Sequence, residues 1–324
     1  MKKIKNLIKK ILRYFLNKKL KDYMKDIKQH ILKDEKYIAV DVGAAIGVQT
    51  WWFEVLEFGQ IYAYEPHKES AKELESMYKE YNYTVLNEAL DSESGTKEIY
   101  LTNVRTGSSL LKPNEGYIYS NPGYFSPYST DTIETIATYE SLSKHDINDI
   151  DLMKIDTQGT ELNILKGLGE TYLDKLLVVE FEAGMPGGYL NQPHFTEVHE
   201  FMSANNFDLF DLRSARGSLY HRTLPRFIAN KKVSQKIHEV DVLYFKDLDY
   251  VLSQKRPEKL RKLIVSYCVY SYFDEAIYAL EKAKDFEIFA IDEIIMMKST
   301  VEKWHNLKSS FYGHFHWFNY MADI

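Results

Sequence analysis

Residues 37–66 read YIAVDVGAAIGVQTWWFEVLEFGQIYAYEP, and this stretch decides the fold. Residues 37–42 form a short apolar run that ends before a glycine, which is typical of a strand buried on both faces of a parallel sheet. The small residues at 43–47 predict a turn where the backbone can approach a ligand closely. Apolar residues then recur at the spacing of a helix that buries one face: Val48, Trp51, Trp52, Val55 and Leu56.

A second predicted strand, Gln60–Tyr64, completes this unit and is followed by an acid, Glu65. Such a unit binds a nucleoside, because the turn offers backbone N–H groups and the carboxylate beyond the second strand accepts hydrogen bonds from ribose hydroxyls. The sequence therefore predicts an α/β protein with a Rossmann-like, doubly wound and mostly parallel sheet. An ordinary strand-to-helix turn without a ligand is the alternative interpretation.

The glycine spacing indicates which nucleoside is bound. Ala45 and Val48 stand where a dinucleotide-binding turn needs its later glycines, and no phosphate-binding G-x-x-x-x-G-K-[ST] motif occurs in the sequence. The pattern D-x-G-x-x-x-G followed by Glu65 resembles the first two motifs of S-adenosylmethionine-dependent methyltransferases, and this resemblance implies S-adenosylmethionine as the cofactor. The residues expected to bind it are Asp41, Gly43, Ala45, Gly47, Thr50, Glu65, Pro66, Asn87, Glu88, Ala89 and Asp156.

Composition limits the class of protein. The 324 residues are 45% hydrophobic and 14% aromatic, which is enough for one large domain with additions or for two domains. The single cysteine, Cys268, excludes an internal disulfide and favours the reducing cytoplasm. No apolar run reaches the roughly 20 residues of a membrane-spanning helix, and no cleavable signal is expected at the start.

Residues 1–36 are predicted to form a basic amphipathic helix. They hold 13 Lys and Arg against 4 Asp and Glu, whereas the whole chain holds 41 against 47. The helix can lie on the inner face of an anionic membrane, or it can pack on its own domain or on a second copy. A nucleic-acid partner is not expected, because the rest of the chain is acidic. The apolar stripe of the helix comprises Ile4, Leu7, Ile8, Ile11, Leu12, Phe15 and Leu16.

A second informative stretch, residues 150–168, reads IDLMKIDTQGTELNILKGL. It predicts a buried strand over 150–155 with Asp156 at its end. Gly159 then allows a close approach of the backbone, and Glu161 lies in the first turn of a helix. Asp156 is therefore expected at the carboxyl edge of the sheet.

Further acids accompany the next strand, predicted over residues 175–181, which has Glu180 and Glu182 at its tip. Acids at the carboxyl edge of a parallel sheet face one crevice, where they repel one another and attract a cation or a hydrogen-bond donor. A sulfonium cofactor and a hydroxyl substrate would satisfy both requirements.

Six segments, in this order and spacing, are similar to the FkbM family of methyltransferases over roughly residues 37–248: VDVGAAIG, YAYEP, NEAL, RTGSSL, TYESL and KIDTQGTELNILKG. In the last segment, family members commonly show an Asp, a Glu-Gly or Gln-Gly pair and a Glu. These match Asp156, the Gln-Gly pair at 158–159 and Glu161. Glu140 stands where the family usually has Asp. The neutral residue at 158 removes one carboxylate, so no metal site is expected.

The resemblance implies O-methylation, often of sugars in surface glycans or of natural-product hydroxyls. The sequence thus indicates a transferase of glycan biosynthesis whose partner is a sugar or glycan precursor. Two alternatives stay open. One is a methyltransferase of a non-sugar small molecule, and the other is a non-catalytic relative that serves as a binding or assembly module through its terminal helices.

Methyl transfer needs a base that takes the proton of the acceptor hydroxyl as the new bond forms. Asp156 is the first candidate, and Glu161 and Glu180 come next. Glu161 can instead stabilise the start of a helix, and Glu180 can belong to a salt bridge. The residues expected to contact the acceptor are Ser108, Ser109, Glu182 and His194.

The chain as a whole is predicted to have three parts: the basic helix over 1–36, a methyltransferase domain over 37–249 and a helical, aromatic-rich extension over 250–324. Strands at 207–212 and 240–246 are expected to form an antiparallel pair at the edge of the sheet, joined by a basic loop. A single helical hairpin in the extension cannot bury its own apolar face. The terminal helices must therefore pack on the domain, on each other or in a homo-oligomer.

Overall fold

The computed structural model describes residues 22–45, 47–114, 128–185, 188–217 and 237–320. In chain order the strands are β1 (Ile38–Val42), β2 (Gln60–Tyr64), β3 (Tyr83–Leu86), β4 (Ala89–Asp91), β5 (Gly95–Leu101), β6 (Ser129–Ala137), β7 (Leu152–Ile155), β8 (Val178–Gly184), β9 (Phe207–Gly217) and β10 (Ile237–Lys246). The α-helices are α1 (Val55–Phe58), α2 (Lys68–Met77), α3 (Thr138–Lys144), α4 (Glu161–Lys166), α5 (Gly169–Lys175), α6 (Phe195–Ala204), α7 (Leu248–Ser253), α8 (Pro257–Val269), α9 (Phe273–Asp285) and α10 (Ile291–Tyr320). Short 3-10 turns lie at Thr50–Trp52 and Arg105–Gly107, and a π-helical turn lies at Ile27–Leu32.

The chain divides into two compact units. The sheet unit comprises the described residues of Ile38–Gly47 and Ile61–Asp247. The helical unit comprises the described residues of Met1–Tyr37, Val48–Gln60 and Leu248–Ile324. The three parts expected from the sequence, with boundaries after residues 36 and 249, stay a prediction.

The sheet unit is built on a seven-stranded sheet in the order β3-β2-β1-β7-β8-β10-β9. β1, β7 and β8 pair in parallel, as do β2 and β3, whereas β10 is antiparallel to both β8 and β9. The chain moves outward from β1 to β3 and returns at β7 beside β1, as in a doubly wound sheet. The predicted Rossmann-like, mostly parallel fold is confirmed.

One face of the central strands belongs to a continuous apolar core. The strands contribute alternate residues to it, because successive side chains of a strand point to opposite faces. Helix α4 packs on the same core through Leu162, Ile164 and Leu165. The core residues of β1, β7 and β8 are Val40, Val42, Met153, Ile155, Val179, Phe181 and Ala183.

Asp151 fixes the starting ends of the three central strands. It is fully buried, and its Oδ2 accepts a hydrogen bond from the Ile38 backbone N–H at 2.9 Å. Its carbonyl oxygen accepts from the N–H groups of Leu177, at 3.1 Å, and Val178, at 3.0 Å. Because β1, β7 and β8 start level with one another, their carboxyl ends also lie together at one edge.

The structure differs from the sequence prediction in three places. The single helix expected after the turn at 43–47 is divided into the 3-10 turn Thr50–Trp52 and the one-turn helix α1. β8 continues to Gly184, because β10 pairs with it that far, so Glu180 and Glu182 lie within the strand and not at its tip. β9 and β10 pair as far as Gly217 and Ile237, so the expected basic loop loses 213–217 to a strand. The rest of that loop lies outside the described residues.

A second, three-stranded sheet in the order β4-β6-β5 was not predicted as a whole. β4 is parallel to β6, and β5 is antiparallel to it. The sequence of β6, STDTIETIA, is mostly polar, and its first four residues are exposed. A strand that is mostly open to solvent carries little of the apolar alternation on which strand prediction depends.

The helical unit is held together by polar contacts between residues distant in sequence. The Tyr37 hydroxyl lies 2.7 Å from Ser266 Oγ of α8, and Trp52 Nε1 donates to the Tyr270 hydroxyl at 2.9 Å. Lys308 of α10 donates to the carbonyl oxygen of Cys268 at 2.9 Å, at the end of α8. These contacts place α8 against other parts of the same unit, and the apolar residues Ala276, Ala279, Leu280 and Ala283 of α9 are buried.

The predicted amphipathic helix is described only in its last residues. The apolar stripe from Ile4 to Leu16 lies outside the described residues, whereas Ile27 and Ile31 of the π-helical turn are fully buried. Within the described part of the chain, no helix is both long enough and apolar enough to cross a bilayer.

Candidate functional site

The glycine turn after β1 contacts the loop after β7. Gly43 has φ +75°, a conformation that favours glycine, and a Cβ added there would lie 2.1 Å from the Asp156 carbonyl oxygen. The N–H groups of Gly43 and Ala44 donate to the Tyr64 carbonyl oxygen at 3.0 and 3.2 Å. The ends of β1, β2 and β7 therefore meet at this turn, and only glycine fits at residue 43.

The turn closes at Gly47, which also has positive φ, +89°. A Cβ at this position would lie 2.4 Å from the Tyr78 hydroxyl oxygen. The Gly47 N–H donates to the Ala44 carbonyl oxygen at 2.6 Å, and Ala45 lies between them. The predicted Thr50 starts a 3-10 turn that belongs to the helical unit.

Glu65 lies directly beyond β2 and is only 5% exposed. Its Oε1 accepts a hydrogen bond from the His67 N–H at 2.8 Å, and its own N–H donates to the Leu86 carbonyl oxygen at 3.1 Å. Asn87 Nδ2 donates to the carbonyl oxygens of Glu65 and Pro66, both at 2.8 Å. The structure thus brings these three predicted cofactor residues together, with the Asn87 side chain holding the backbone that carries the acid.

Glu88 has a different environment from the one expected for a cofactor contact. Its carboxylate accepts hydrogen bonds from Ser141 Oγ at 2.5 Å, Lys144 Nζ at 2.6 Å and His145 Nε2 at 3.0 Å. Burial alone would raise the pKa of Glu88, but these hydrogen bonds outweigh it and hold the pKa below its usual range. The side chain therefore faces α3 and the residue after it, while Ala89 starts β4.

A row of three charged side chains crosses the buried centre of the sheet. Lys154 of β7 is in register with Asp41 of β1 on one side and with Glu180 of β8 on the other. The exposed fractions of Asp41, Lys154 and Glu180 are 0%, 6% and 5%. Lys154 Nζ lies 3.3 Å from Asp41 Oδ1.

These neighbours determine the ionisation of the row. Burial lowers the pKa of Lys154, but the carboxylates of Asp41, Asp156 and Glu180 outweigh burial and raise the pKa well above its usual range. Burial raises the pKa of Asp41, and Lys154 opposes that increase. Sequence reasoning missed Lys154. A lysine inside the otherwise apolar run LMKI was the available signal, since a lysine is rarely fully buried unless it is paired.

Asp156 is the most accessible acid of this group. Its side chain is 38% exposed, and its backbone N–H donates to the Val42 carbonyl oxygen at 2.9 Å. Oδ1 accepts a hydrogen bond from Gln158 Nε2 at 2.9 Å, and Oδ2 lies 3.7 Å from Lys154 Nζ. The carboxylate is thus held on two sides and remains partly open to solvent.

Glu161, in contrast, shapes the loop from inside. It is 4% exposed, and its Oε1 accepts hydrogen bonds from the N–H groups of Thr157, at 3.1 Å, and Gly159, at 3.0 Å. Burial raises the pKa of Glu161 to about 7, with Asp156 adding to the increase and the backbone donors opposing it. Its contacts are those of a carboxylate that fixes the conformation of residues 157–160.

The predicted acceptor residues lie on three segments. Ser109 is 3% exposed, and its Oγ donates to the Gln158 carbonyl oxygen at 2.8 Å. Ser108 Oγ accepts a hydrogen bond from the Thr102 N–H at 3.3 Å. Ser109 therefore adjoins the loop that carries Asp156, whereas Ser108 stabilises its own segment.

The other two predicted acceptor residues lie in β8 and at the start of α6. Glu182 is in register with Asp241 of β10. His194 is exposed, its Nδ1 lies 2.8 Å from the Met185 carbonyl oxygen, and its N–H donates to Glu197 Oε2 at 2.8 Å. His194 thus caps the start of α6.

Sequence reasoning also missed Tyr189, which joins two of these segments. Its hydroxyl lies 2.6 Å from the Gly107 carbonyl oxygen and 3.1 Å from Gln158 Oε1. Nothing in the sequence around Tyr189 indicates this role, because its partners are 82 and 31 residues away. The same loop contributes Gln192, whose side chain would lie 3.3 Å from a Cβ at Gly159.

The groups at this edge of the sheet fit S-adenosylmethionine. The Gly43 turn lets backbone come close to a ligand, and Glu65 stands where a ribose acceptor is needed. Asp41 Oδ2 is buried and accepts no hydrogen bond from any described residue, so a donor such as the cofactor amino group would satisfy it. Within the described residues, no group of three or more His, Cys, Asp or Glu side chains is arranged to hold a metal ion.

A family model described as the methyltransferase FkbM domain matches residues 41–209, just over half of the chain. No curated protein matches the chain. An rRNA methylase from Streptococcus thermophilus is similar at 11% identity, covering 69% of this chain and 94% of that one, with a TM-score of 0.35. An S-adenosylmethionine-dependent methyltransferase from Clostridium acetobutylicum is similar at 10% identity, covering 76% and 98%, with a TM-score of 0.33. A fibrillarin/Nop5p complex is similar at 17% identity, covering 65% and 73%, with a TM-score of 0.33. Scores this low support no conclusion about this chain.

We expect Glu65→Ala to weaken the binding of S-adenosylhomocysteine by about 1.5–3 kcal/mol, the usual contribution of a hydrogen bond to a charged group. Isothermal titration calorimetry on the full-length protein measures the change. Glu73→Ala is the matched control, because Glu73 is an exposed acid of α2. Unchanged affinity in a folded Glu65→Ala variant would show that Glu65 is not the ribose acceptor.

The raised pKa of Glu161 gives stability a pH dependence. The folded-state pKa of about 7 lies above the unfolded value of 4.5, so the folded protein holds this proton more tightly. Stability should therefore fall as pH rises from about 4.5 to 7, by on the order of 3 kcal/mol from this group.

Glu161→Gln should remove that decrease while keeping an oxygen that accepts from Thr157 and Gly159. Urea unfolding at pH 5, 6, 7 and 8 measures the difference between the variant and the original protein. Glu170→Gln, at an exposed position in α5, is the control and should leave the pH slope unchanged. Equal slopes in both variants would mean that Glu161 titrates normally.

Proposed function

The chain belongs to the FkbM family of methyltransferases, and from this premise we propose that it transfers a methyl group to a hydroxyl oxygen of a sugar or glycan precursor. The methyl donor is S-adenosylmethionine, whose sulfonium supplies an electrophilic methyl group and leaves as a neutral thioether. The observation that carries the proposal is the carboxylate of Asp156, which is held beside the glycine turn yet is 38% exposed.

Asp156 is the proposed base. It accepts the proton of the acceptor hydroxyl while the acceptor oxygen uses the freed electron pair to bond to the methyl carbon. Its position is supported by the hydrogen bond from Gln158 and by Lys154, so little reorganisation is needed when the acceptor binds. Glu161 and Glu180 rank lower as bases, because their side chains are buried and an acceptor oxygen has less access to them.

The charges around Asp156 favour an acceptor that is neutral where it meets the base. Asp41 and Glu161 both interact electrostatically with Asp156, and Lys154 is shared with Glu180. An anionic group placed next to these carboxylates would be repelled, whereas a hydroxyl donates a hydrogen bond to them. A sugar ring offers several such hydroxyls, and its second polar edge would meet Ser109, Glu182 or His194.

The cofactor contacts are part of the same proposal. Gly43, Ala45 and Gly47 would supply a close backbone surface, Asp41 and Glu65 would accept from the amino and ribose groups, and Asn87 would hold the Glu65 backbone in place. The remaining candidates in the sheet unit are Pro66, Ala89 and Asp156 itself.

The acceptor class is tested by measuring S-adenosylhomocysteine release with a panel of acceptors. The panel contains methyl glycosides, nucleotide-linked sugars, lipid-linked sugars and simple non-sugar alcohols and phenols. We expect turnover with a sugar hydroxyl and none with non-sugar compounds. Turnover restricted to a phenol or alcohol would overturn the sugar assignment and leave methyl transfer intact.

With the acceptor found in that panel, Asp156→Asn should lower kcat by about a hundredfold, which is within the range for loss of a general base. Binding of S-adenosylhomocysteine should change by less than about threefold, under 1 kcal/mol, because asparagine keeps the size of aspartate and one of its acceptor oxygens. The control is Asp146→Asn, an exposed residue with φ +54°, which asparagine tolerates. A kcat close to that of the original protein would move the base to Glu161, Glu180 or His194.

Two roles are open for residues 1–36 in a protein that we propose works in the cytoplasm. In the first, this basic segment contacts the inner face of an anionic membrane. The competing proposal is packing on protein, including a homo-oligomer formed through the terminal helices. The excess of lysine over acid supports the first, and the burial of Ile27 and Ile31 supports the second.

We expect packing on protein, so neither the full chain nor a chain lacking residues 1–21 should float with anionic liposomes at physiological salt. The deletion stops short of Ile27 and Ile31, so that the buried π-helical turn stays intact. Light scattering should then report a changed oligomeric state or lower solubility for the shorter chain. Flotation of the full chain alone, weakening as salt rises, would establish membrane contact instead, since each lysine near an anionic surface contributes about 1 kcal/mol.

A further inference from the structure

A chain of polar contacts leads from Asp156 away from the cofactor turn. Gln158 Nε2 donates to Asp156 Oδ1 at 2.9 Å, and Gln158 Oε1 lies 3.1 Å from the Tyr189 hydroxyl. That hydroxyl lies 2.6 Å from the Gly107 carbonyl oxygen. We name these four groups the Gln158 relay: the Asp156 carboxylate, the Gln158 amide, the Tyr189 hydroxyl and the Gly107 carbonyl.

The proton count of the Gln158 relay depends on the state of Asp156. A tyrosine hydroxyl has one proton to donate, yet Tyr189 faces two acceptors, Gln158 Oε1 and the Gly107 carbonyl oxygen. While Asp156 is ionised, the Gln158 N–H must point at it. Tyr189 can then donate to only one of its two neighbours.

The count changes when Asp156 carries a proton. If the Gln158 amide inverts, the Asp156 O–H donates to Gln158 Oε1, and Gln158 Nε2 donates to the Tyr189 oxygen. The Tyr189 O–H then donates to the Gly107 carbonyl oxygen, at the shorter of its two distances, 2.6 Å. The relay then makes three hydrogen bonds, whereas with ionised Asp156 it makes two and leaves one of the acceptors facing Tyr189 without a donor from the relay.

The backbone holds Gln158 in place for this function. Its φ is +60°, in the left-handed region that residues other than glycine, asparagine and aspartate rarely adopt. Its carbonyl oxygen accepts a hydrogen bond from Ser109 Oγ at 2.8 Å, and Tyr189 is 5% exposed. Strained residues that the surroundings hold in place are concentrated at functional sites.

We propose that Gln158 and Tyr189 are positioning residues for proton transfer, in which the Gln158 amide donates to Asp156 before the reaction and inverts to accept from Asp156 afterwards. The inference rests on the proposed function, since it takes Asp156 as the base. In that step the acceptor O–H bond breaks and an O–H bond forms on Asp156. The acceptor oxygen keeps the electron pair and bonds to the methyl carbon, while the carbon–sulfur pair leaves with sulfur.

The charged groups that face Asp156 come from three elements. Lys154 of β7 is the cation beside it, and Asp41 of β1 and Glu161 of α4 are the acids that interact with it electrostatically. Glu161 also changes charge near neutral pH, so a Glu161→Gln background is needed to separate its effect from that of Asp156.

The test uses nuclear magnetic resonance on the full-length protein labelled with 15N-glutamine, without cofactor or acceptor. Gln158→Met identifies the Gln158 side-chain amide signals by their loss, and circular dichroism checks that the variant is folded. As pH is lowered, we expect these signals to move in the original protein and in Glu161→Gln. Asp156→Asn should abolish the movement, and Tyr189→Phe should reduce it strongly, because the inverted amide then lacks its acceptor.

The kinetic arm uses the acceptor found by the glycoside panel. Tyr189→Phe and Gln158→Met should each lower kcat about tenfold, less than the roughly hundredfold or more expected for loss of the base itself, because both residues act through Asp156. KM should change less than about twofold. Binding of S-adenosylhomocysteine should be unchanged in both. A larger effect on KM than on kcat would assign the two residues to acceptor binding and overturn the relay.

The two arms distinguish failure of the relay from failure of the proposed function. Amide signals that ignore pH, or that move equally in Tyr189→Phe, overturn the relay even if Asp156→Asn abolishes turnover. Turnover retained in Asp156→Asn overturns the base and, with it, the role of the relay in proton transfer. Amide signals that move only while Glu161 is present would assign the response to Glu161, which also overturns the relay.

Discussion

The ion pair between Asp41 and Lys154 constrains the whole carboxyl edge of the sheet. Both side chains are buried, and loss of one partner from such a pair costs about 3–5 kcal/mol. The pair forms only if β1 and β7 have their observed register. A slip of one residue would turn Lys154 toward the apolar core that holds Met153 and Ile155, where no carboxylate faces it. The buried charges therefore determine strand register as well as local electrostatics.

Register in turn determines where each strand ends. With Asp41 opposite Lys154, the residue after β7 is Asp156, and its backbone N–H bonds to Val42. The Gly43 turn then passes so close to the Asp156 carbonyl oxygen that no side chain fits. A glycine that looks like a cofactor feature in the sequence is thus also required by the packing of two strand ends. The cofactor contact proposed for Gly43 and the observed packing involve the same position, so a substitution at residue 43 cannot separate them.

Local patterns predicted the parts of the fold that depend on local sequence. The bounds of β2 match the sequence prediction, because an apolar run between turn residues defines this strand. The prediction of a single helix after Gly47 was wrong for the opposite reason. Trp52 bonds to Tyr270 and Glu54 to Trp304, partners more than 200 residues away, and these long-range contacts override helical spacing.

The site shows the same division between local and long-range information. The predicted acids are where the strand ends put them, apart from Glu180 and Glu182, which β10 keeps inside β8. Lys154 was visible as a charge in an apolar run, but its meaning depends on partners in two other strands. Tyr189 could not be predicted at all, because its contacts are set by loops.

The side chain of Gln158 is neutral, and this matters for the proton on Asp156. A glutamate there would place a second carboxylate about where Nε2 now lies, 2.9 Å from Asp156, and two carboxylates that close share one proton. Asp156 would then already hold part of a proton before the acceptor arrived. An amide avoids that competition, and it can both donate to a carboxylate and accept from a carboxylic acid, so the Gln-Gly form of the motif suits a site in which one aspartate alone takes the proton.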